Sequence, residues 1–163
     1  MMKMTITEAN RYVQQLKDEV SRIKEAEAET RTYEHTEGEA AYPQKYDFVD
    51  TQRQLDELNR KILMVRHAIS VFNVQTIVPA FDMTIDSALV YIAMLSEQKK
   101  KLDEMKRMQP ISRKNNYHNI QIVHRNFDQK EVQDESEKVV LKLNKLRAAL
   151  DLVNLTSTIE VDT

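Results

Sequence analysis

Four histidines, His35, His67, His118 and His124, are the side chains in this sequence best suited to metal binding or proton transfer. A helical di-metal carboxylate site needs a Glu three residues before a His, so that both project from one helix face. The residues at that position are Thr32, Met64, Asn115 and Gln121, none of them a carboxylate. The zinc-peptidase pattern H-E-x-x-H is also missing. His118 and His124 alternate onto one face of an extended segment, but the strand between them spans roughly 20 Å, too far for a shared ion. His67 sits beside an apolar stripe and reads as a boundary residue. With no cysteine, thiolate zinc sites, disulfides and thiol catalysis are excluded. A single glycine, Gly38, leaves no phosphate-cradling loop, and no Ser stands in G-x-S-x-G. The residues therefore predict no catalytic group, no cofactor and no metal.

Charge is the more informative chemistry. Glu25, Glu27, Glu29, Glu34, Glu37 and Glu39 make one stretch acidic, while residues 106–127 contain no acid and carry Lys106, Arg107, Arg113, Lys114 and Arg125. Arg113, Lys114, Tyr117, His118, His124 and Arg125 are the candidate interaction residues. The bland reading is two solvated loops in weak mutual attraction, worth about 1 kcal/mol or less. The sharper one is a surface for a protein partner or for a second copy, a homodimer. A nucleic-acid surface over 99–125, with Lys99, Lys100 and Lys101 added and Tyr117 for stacking, is the alternative. Against it stand the acidic stretch and a net charge of −2.

These residues must be positioned by helices. Glycine and proline are scarce, and Glu, Lys, Gln, Leu and Met abound. Ile6, Ala9, Val13, Leu16, Val20 and Ile23 follow heptad spacing. Thr5 and Glu8 form a capping-box signature ahead of them. A second stripe runs Phe48, Thr51, Leu55, Leu58, Ile62, Val65, Ile69, Phe72. A third runs Ile85, Leu89, Ile92, Leu95, Leu102, Met105 behind the N-cap Thr84. The fourth runs Val132, Ser136, Val139, Leu143, Leu146, Leu150, Val153. Extra apolar positions at Met64, Val71, Val140, Leu152 and Leu155 widen the second and fourth faces, as a bundle requires. Asn73 and Asn154 read as helix ends.

The chain also repeats itself. MTITEANRYVQQL at 4–16 returns as MTIDSALVYIAML at 83–95. With a shift of two residues, Tyr46-Asp47 matches Phe127-Asp128 and Arg66, Ala68 and Asn73 match Arg147, Ala149 and Asn154. The expectation is a mainly all-α single domain, 1–163, of four long antiparallel helices. A tandem helical-hairpin duplication, 4–82 and 83–163, builds it, with short β segments in loops and at the C-terminus. Both long loops, near 34–45 and 109–125, then share one end, so the acidic and basic stretches face each other. Loop two alternates like a strand, with Asn115-Asn116 as its turn, and Thr30-Arg31-Thr32-Tyr33 extends similarly. Residues 76–78 and 158–161 also have strand composition and are candidates to pair with each other or with a second chain.

Three segments carry a family resemblance. They are LNRKI at 58–62 running on to FN at 72–73, MTIDSALVYIAMLSEQKKKLDEM at 83–105, and NFD at 126–128 leading to ALDLVN at 149–154 and a terminal TIEV. Together they resemble a family of small bacterial helical, coiled-coil-like proteins, some labelled septicolysin. The resemblance spans roughly residues 5 to 162. It implies a bacterial helical protein and brings no catalytic residue, ligand or cofactor. A cytolytic role is disfavoured: there is no signal core, no apolar run of membrane length and no strongly basic amphipathic helix. The residues point to a cytoplasmic, non-enzymatic structural or interaction protein of unknown biological role.

Overall fold

The computed structural model describes residues 1–116 and 119–162. They form a mainly helical chain with short antiparallel strands. In order these are β1 (Met2–Thr5), α1 (Ile6–Thr30), α2 (Phe48–Gln75), β2 (Ile77–Val78), β3 (Met83–Thr84), α3 (Ile85–Arg107), β4 (Ile111–Asn116), β5 (Asn119–His124), α4 (Gln129–Thr156) and β6 (Thr158–Val161). Two compact units result: Met1–Gln75 together with Val153–Thr163, and Thr76–Leu152.

In the first unit α1 starts at the expected capping box. The Glu8 amide donates to Thr5 Oγ1 at 3.2 Å, and the Thr5 amide donates to Glu8 Oε2 at 2.8 Å. The Thr5 amide, and the Thr5 hydroxyl donating to the same oxygen at 3.1 Å, favour the carboxylate and hold Glu8 below the usual range. Asp47 caps α2, its Oδ1 accepting from the Asp50 amide at 3.0 Å. Tyr46 Oη and Gln52 Nε2 both donate to Glu27 Oε1, at 2.7 and 2.9 Å, tying the end of α1 to the start of α2. The helices therefore run antiparallel, and Val13 near the start of α1 packs in one cluster with Val65 of α2. β1 and β6 close that cluster, pairing Met4 with Ile159 and Met2 with Val161.

The second unit opens with β2 against β3, Val78 opposite Met83 and Ile77 opposite Thr84. Their four-residue turn holds two non-glycine residues at positive φ, Ala80 at 67° and Asp82 at 48°. Each strains the backbone by roughly 1 kcal/mol or more. Thr84 caps α3 by accepting from the Ser87 amide at 3.2 Å. Asp128 caps α4, accepting from the amides of Lys130 at 2.7 Å and Glu131 at 3.1 Å. Gln129 Nε2 donates to the Lys106 carbonyl at 3.0 Å, so α4 returns antiparallel to α3. Leu95, Leu102, Val132, Val139 and Leu143 form the core between them.

Several expectations are corrected. Phe48 is 61% exposed and Leu89 48%, so neither belongs to the core stripe that its spacing suggests. Residues 30–33 form no strand: Thr30 is the last residue of α1, its hydroxyl donating back to the Ala26 carbonyl at 2.7 Å. Asn73 and Asn154 do not end their helices, which continue to Gln75 and Thr156. β2 and β6 pair not with each other but with β3 and β1, the short extended leads into α3 and α1. Leu146 is fully buried. Leu146→Ala should lower unfolding free energy by about 2–5 kcal/mol, whereas Leu89→Ala should change it by less than about 0.5 kcal/mol. Urea denaturation followed by circular dichroism checks the contrast, and equal losses would refute it.

Candidate interaction arm

The basic stretch folds into a β-hairpin whose register sorts its side chains. Ile111 faces His124, Arg113 faces Ile122 and Asn115 faces Ile120 on one side. Ser112 faces Val123 and Lys114 faces Gln121 on the other. The expected turn at Asn115-Asn116 is therefore corrected: both are strand residues of β4. Tyr117 and His118, two of the candidate residues, lie outside the described residues. The alternation is otherwise as read, with Ile120, Ile122 and His124 on one face and Asn119 and Gln121 on the other. Its cause is the two-residue period of a pleated strand.

The arm is almost wholly solvated. Every residue of β5 is exposed, including Ile120 at 67% and Ile122 at 58%, and Ile111 across the ladder is 56% exposed. Arg113, Lys114 and His124 are exposed beside them. Arg125 is different. Its amide donates to the Pro110 carbonyl at 2.9 Å, and its guanidinium donates to Gln129 Oε1 at 2.9 Å and lies 5.5 Å from the Phe127 ring centroid. Arg125 clamps the base of the arm to the start of α4 rather than presenting a free cation.

One cluster escaped the sequence reading. Ser136 is 2% exposed in the α4 stripe, and its Oγ accepts from Lys106 Nζ at 2.9 Å. A Ser–Lys pair is the geometry of one class of nucleophile, but a lysine acts as base only when neutral. Lys106 lies 2.8 Å from Asp103, which also pairs with Lys99 at 2.6 Å. The Lys106 and Lys99 hydrogen bonds hold the Asp103 carboxyl down at about 2. Lys106 is thus held by a carboxylate on its own helix as well as by Ser136, and the Ser–Lys pair is a satisfied polar tie between α3 and α4. The signal available in the sequence was a lone Ser in an apolar stripe. Of the remaining histidines, His35 is exposed in the 31–47 connection, and exposed His67 lines an open groove between α1 and α2 with Lys17 and Arg66. Among the described residues no three His, Asp or Glu side chains are grouped to hold a metal ion, and no helix is long and apolar enough to cross a membrane.

No family model matches the chain, and no curated protein does either. A solved structure, a functionally unknown conserved protein from Corynebacterium diphtheriae, is similar over 98% of this chain and 100% of its own, with a TM-score of 0.71 at 15% identity. At that identity the likeness establishes the fold alone.

Two predictions follow from the charges. Asp103 ionises in the folded chain below its ordinary value of 3.8. Its contribution to stability should be complete above about pH 4 and fade as the pH falls through about 2. Carboxyl-detected NMR titration should find this midpoint, and Asp103→Asn should flatten that part of the stability–pH curve. Arg125→Ala should speed amide exchange in 111–124 at least tenfold while sparing Leu143 and Leu146; unchanged exchange in the arm would show that the clamp is not needed.

Proposed function

We propose that this is a non-enzymatic, cytoplasmic interaction protein, a duplicated helical-hairpin scaffold whose β4–β5 arm docks a protein partner or a second copy of the chain. The observation that carries the reading is the exposed face of the arm, Ile111, Ile120 and Ile122 beside Arg113 and His124. A lone two-stranded hairpin is marginal in water, and a cluster of three exposed isoleucines marks a surface meant to be covered. The flanking cations favour an acidic partner.

The duplication has its own support. A shift of 79 residues carries Thr5 onto Thr84 and Met4 onto Met83, and a shift of 81 carries Ile77 onto Thr158 and Val78 onto Ile159. Under these shifts the pairings Thr5–Thr158 and Met4–Ile159 become Thr84–Ile77 and Met83–Val78, which are the observed partners. The same shift of 81 carries the capping Asp47 onto Asp128, and α2 and α4 both have 28 residues. Kinship with the septicolysin-labelled family is part of the same proposal and brings no activity with it.

The nucleic-acid reading is weaker. Lys99 and Lys106 are paired with Asp103, and Arg125 is used in the clamp, which thins the positive stretch.

The test is sedimentation of wild type and the Ile120→Ser/Ile122→Ser variant, each purified and in clarified lysate. The variant should keep the wild-type melting temperature and run at monomer mass where the wild type runs heavier. Identical sedimentation in both settings would overturn the arm as a docking surface. A heavier form that nuclease treatment or raised salt removes would favour nucleic acid instead.

A further inference from the structure

A second surface, separate from the arm, lies in the Thr76–Leu152 unit. The strained turn between β2 and β3 brings Pro79 and Phe81 beside α4, where Leu141, Ala148 and Ala149 complete the apolar floor of an open groove of about 690 Å³. Three lysines of α4, Lys138, Lys142 and Lys145, line the same groove, and among the described residues no acidic one does. All three are exposed. Lys138 makes a long, solvated contact with Glu135 at 3.9 Å, and Lys142 lies 5.9 Å from the Tyr91 ring centroid. Leu141 is 56% exposed between these cations. An apolar floor bordered by one sign of charge suits an occupant with apolar or aromatic anchors and several carboxylates.

The chain itself contains such a segment. Residues 33–42, YEHTEGEAAY, carry Glu34, Glu37 and Glu39 with no lysine or arginine, and a tyrosine stands at each end. Every residue from 31 to 45 is exposed, with Tyr33 at 53% and Tyr42 at 83%. Gly38, at φ 87°, turns the backbone between Thr36 and Glu39, whose amide donates to the Thr36 carbonyl at 3.0 Å. A connection of this length without regular structure is uncommon in a compact fold unless it has a function. Exposed tyrosines supply large anchors at low entropic cost.

We propose that the lysine-bordered groove of one copy binds the acidic 33–42 segment of a second copy, with a tyrosine on the apolar floor and the glutamates against Lys138, Lys142 and Lys145. The inference deepens the self-association half of the proposed function and rests on it, but it uses a different surface from the arm.

The test is light scattering on a sizing column with the purified full chain at low and physiological salt. Four forms are compared: wild type, Lys138→Glu/Lys142→Glu/Lys145→Glu, Glu34→Lys/Glu37→Lys/Glu39→Lys, and the six substitutions combined. Wild type should exceed monomer mass at low salt and lose mass as salt rises. Each triple variant should weaken association at least tenfold, and the combined form should regain it. Circular dichroism melting checks that each form is folded, and rescue in the combined form excludes misfolding as the cause of a loss. A monomeric wild type at all concentrations overturns the inference, leaving the groove to a foreign partner or to no partner. Association that survives the lysine variant but not Ile120→Ser/Ile122→Ser also overturns it, while the arm reading stands. The reverse pattern supports the groove and removes the arm from self-association.

Discussion

Antiparallel pairing of the short strands that flank the helices is the constraint on which the rest of this structure depends. β1 and β6 bring Met4 and Ile159 together over Val65, so the start of α1 and the residues after α4 are fixed in one small core. β2 and β3 pair in the same antiparallel way directly ahead of α3. α1 and α3 each begin at a paired strand and a capping threonine. Helices of 23 to 28 residues with modest apolar content gain a fixed register from ties of this kind. Burial supplies most of the energy. Away from the ties burial thins: Ile6, Ala9, Val13 and Leu16 are buried in α1, while Val20 and Ile23 are only partly so.

That gradient explains what the sequence could and could not disclose. Thr5 with Glu8, and Thr84, were legible as caps because a side-chain oxygen before an apolar-periodic run satisfies amides the helix leaves open. Heptad spacing located all four helices. It failed at Phe48 and Leu89, because periodicity says which face a side chain is on and not whether a neighbour reaches it. The alternation in 119–124 was legible, but the turn was misplaced onto Asn115-Asn116, whose composition suits a turn as well as an edge strand. β1 and β3 were invisible as partners, being two to four residues long and indistinguishable by pattern from a helix lead-in. The positive φ of Ala80 and Asp82 had no sequence signal at all, since no glycine marks it.

The candidate site was legible in outline and corrected in detail. The basic character of 106–125 could be read from residue types, and so could exposed alternation in its second strand. Only the structure separates Arg113 and Lys114, which are exposed, from Arg125, which is spent on the arm's own base. The same holds for Lys106, which in the sequence is one more cation of a basic stretch and in the fold satisfies a buried hydroxyl. Side-chain commitments of this sort are decided by tertiary neighbours, as are grooves such as the one beside Leu141.

The two surfaces left uncovered are of one kind: apolar side chains bordered by lysine or arginine, on a chain whose exposed irregular segment is acidic and tyrosine-bearing. The proposed association between copies would account for all three features together. Amide hydrogen exchange of the wild-type chain at two concentrations, about a hundredfold apart, tests this most directly. The account predicts that raising the concentration slows exchange in 33–42 and around the β2–β3 turn, and leaves the α1–α2 core around Val13 and Val65 unchanged. Exchange that is the same everywhere at both concentrations would contradict it.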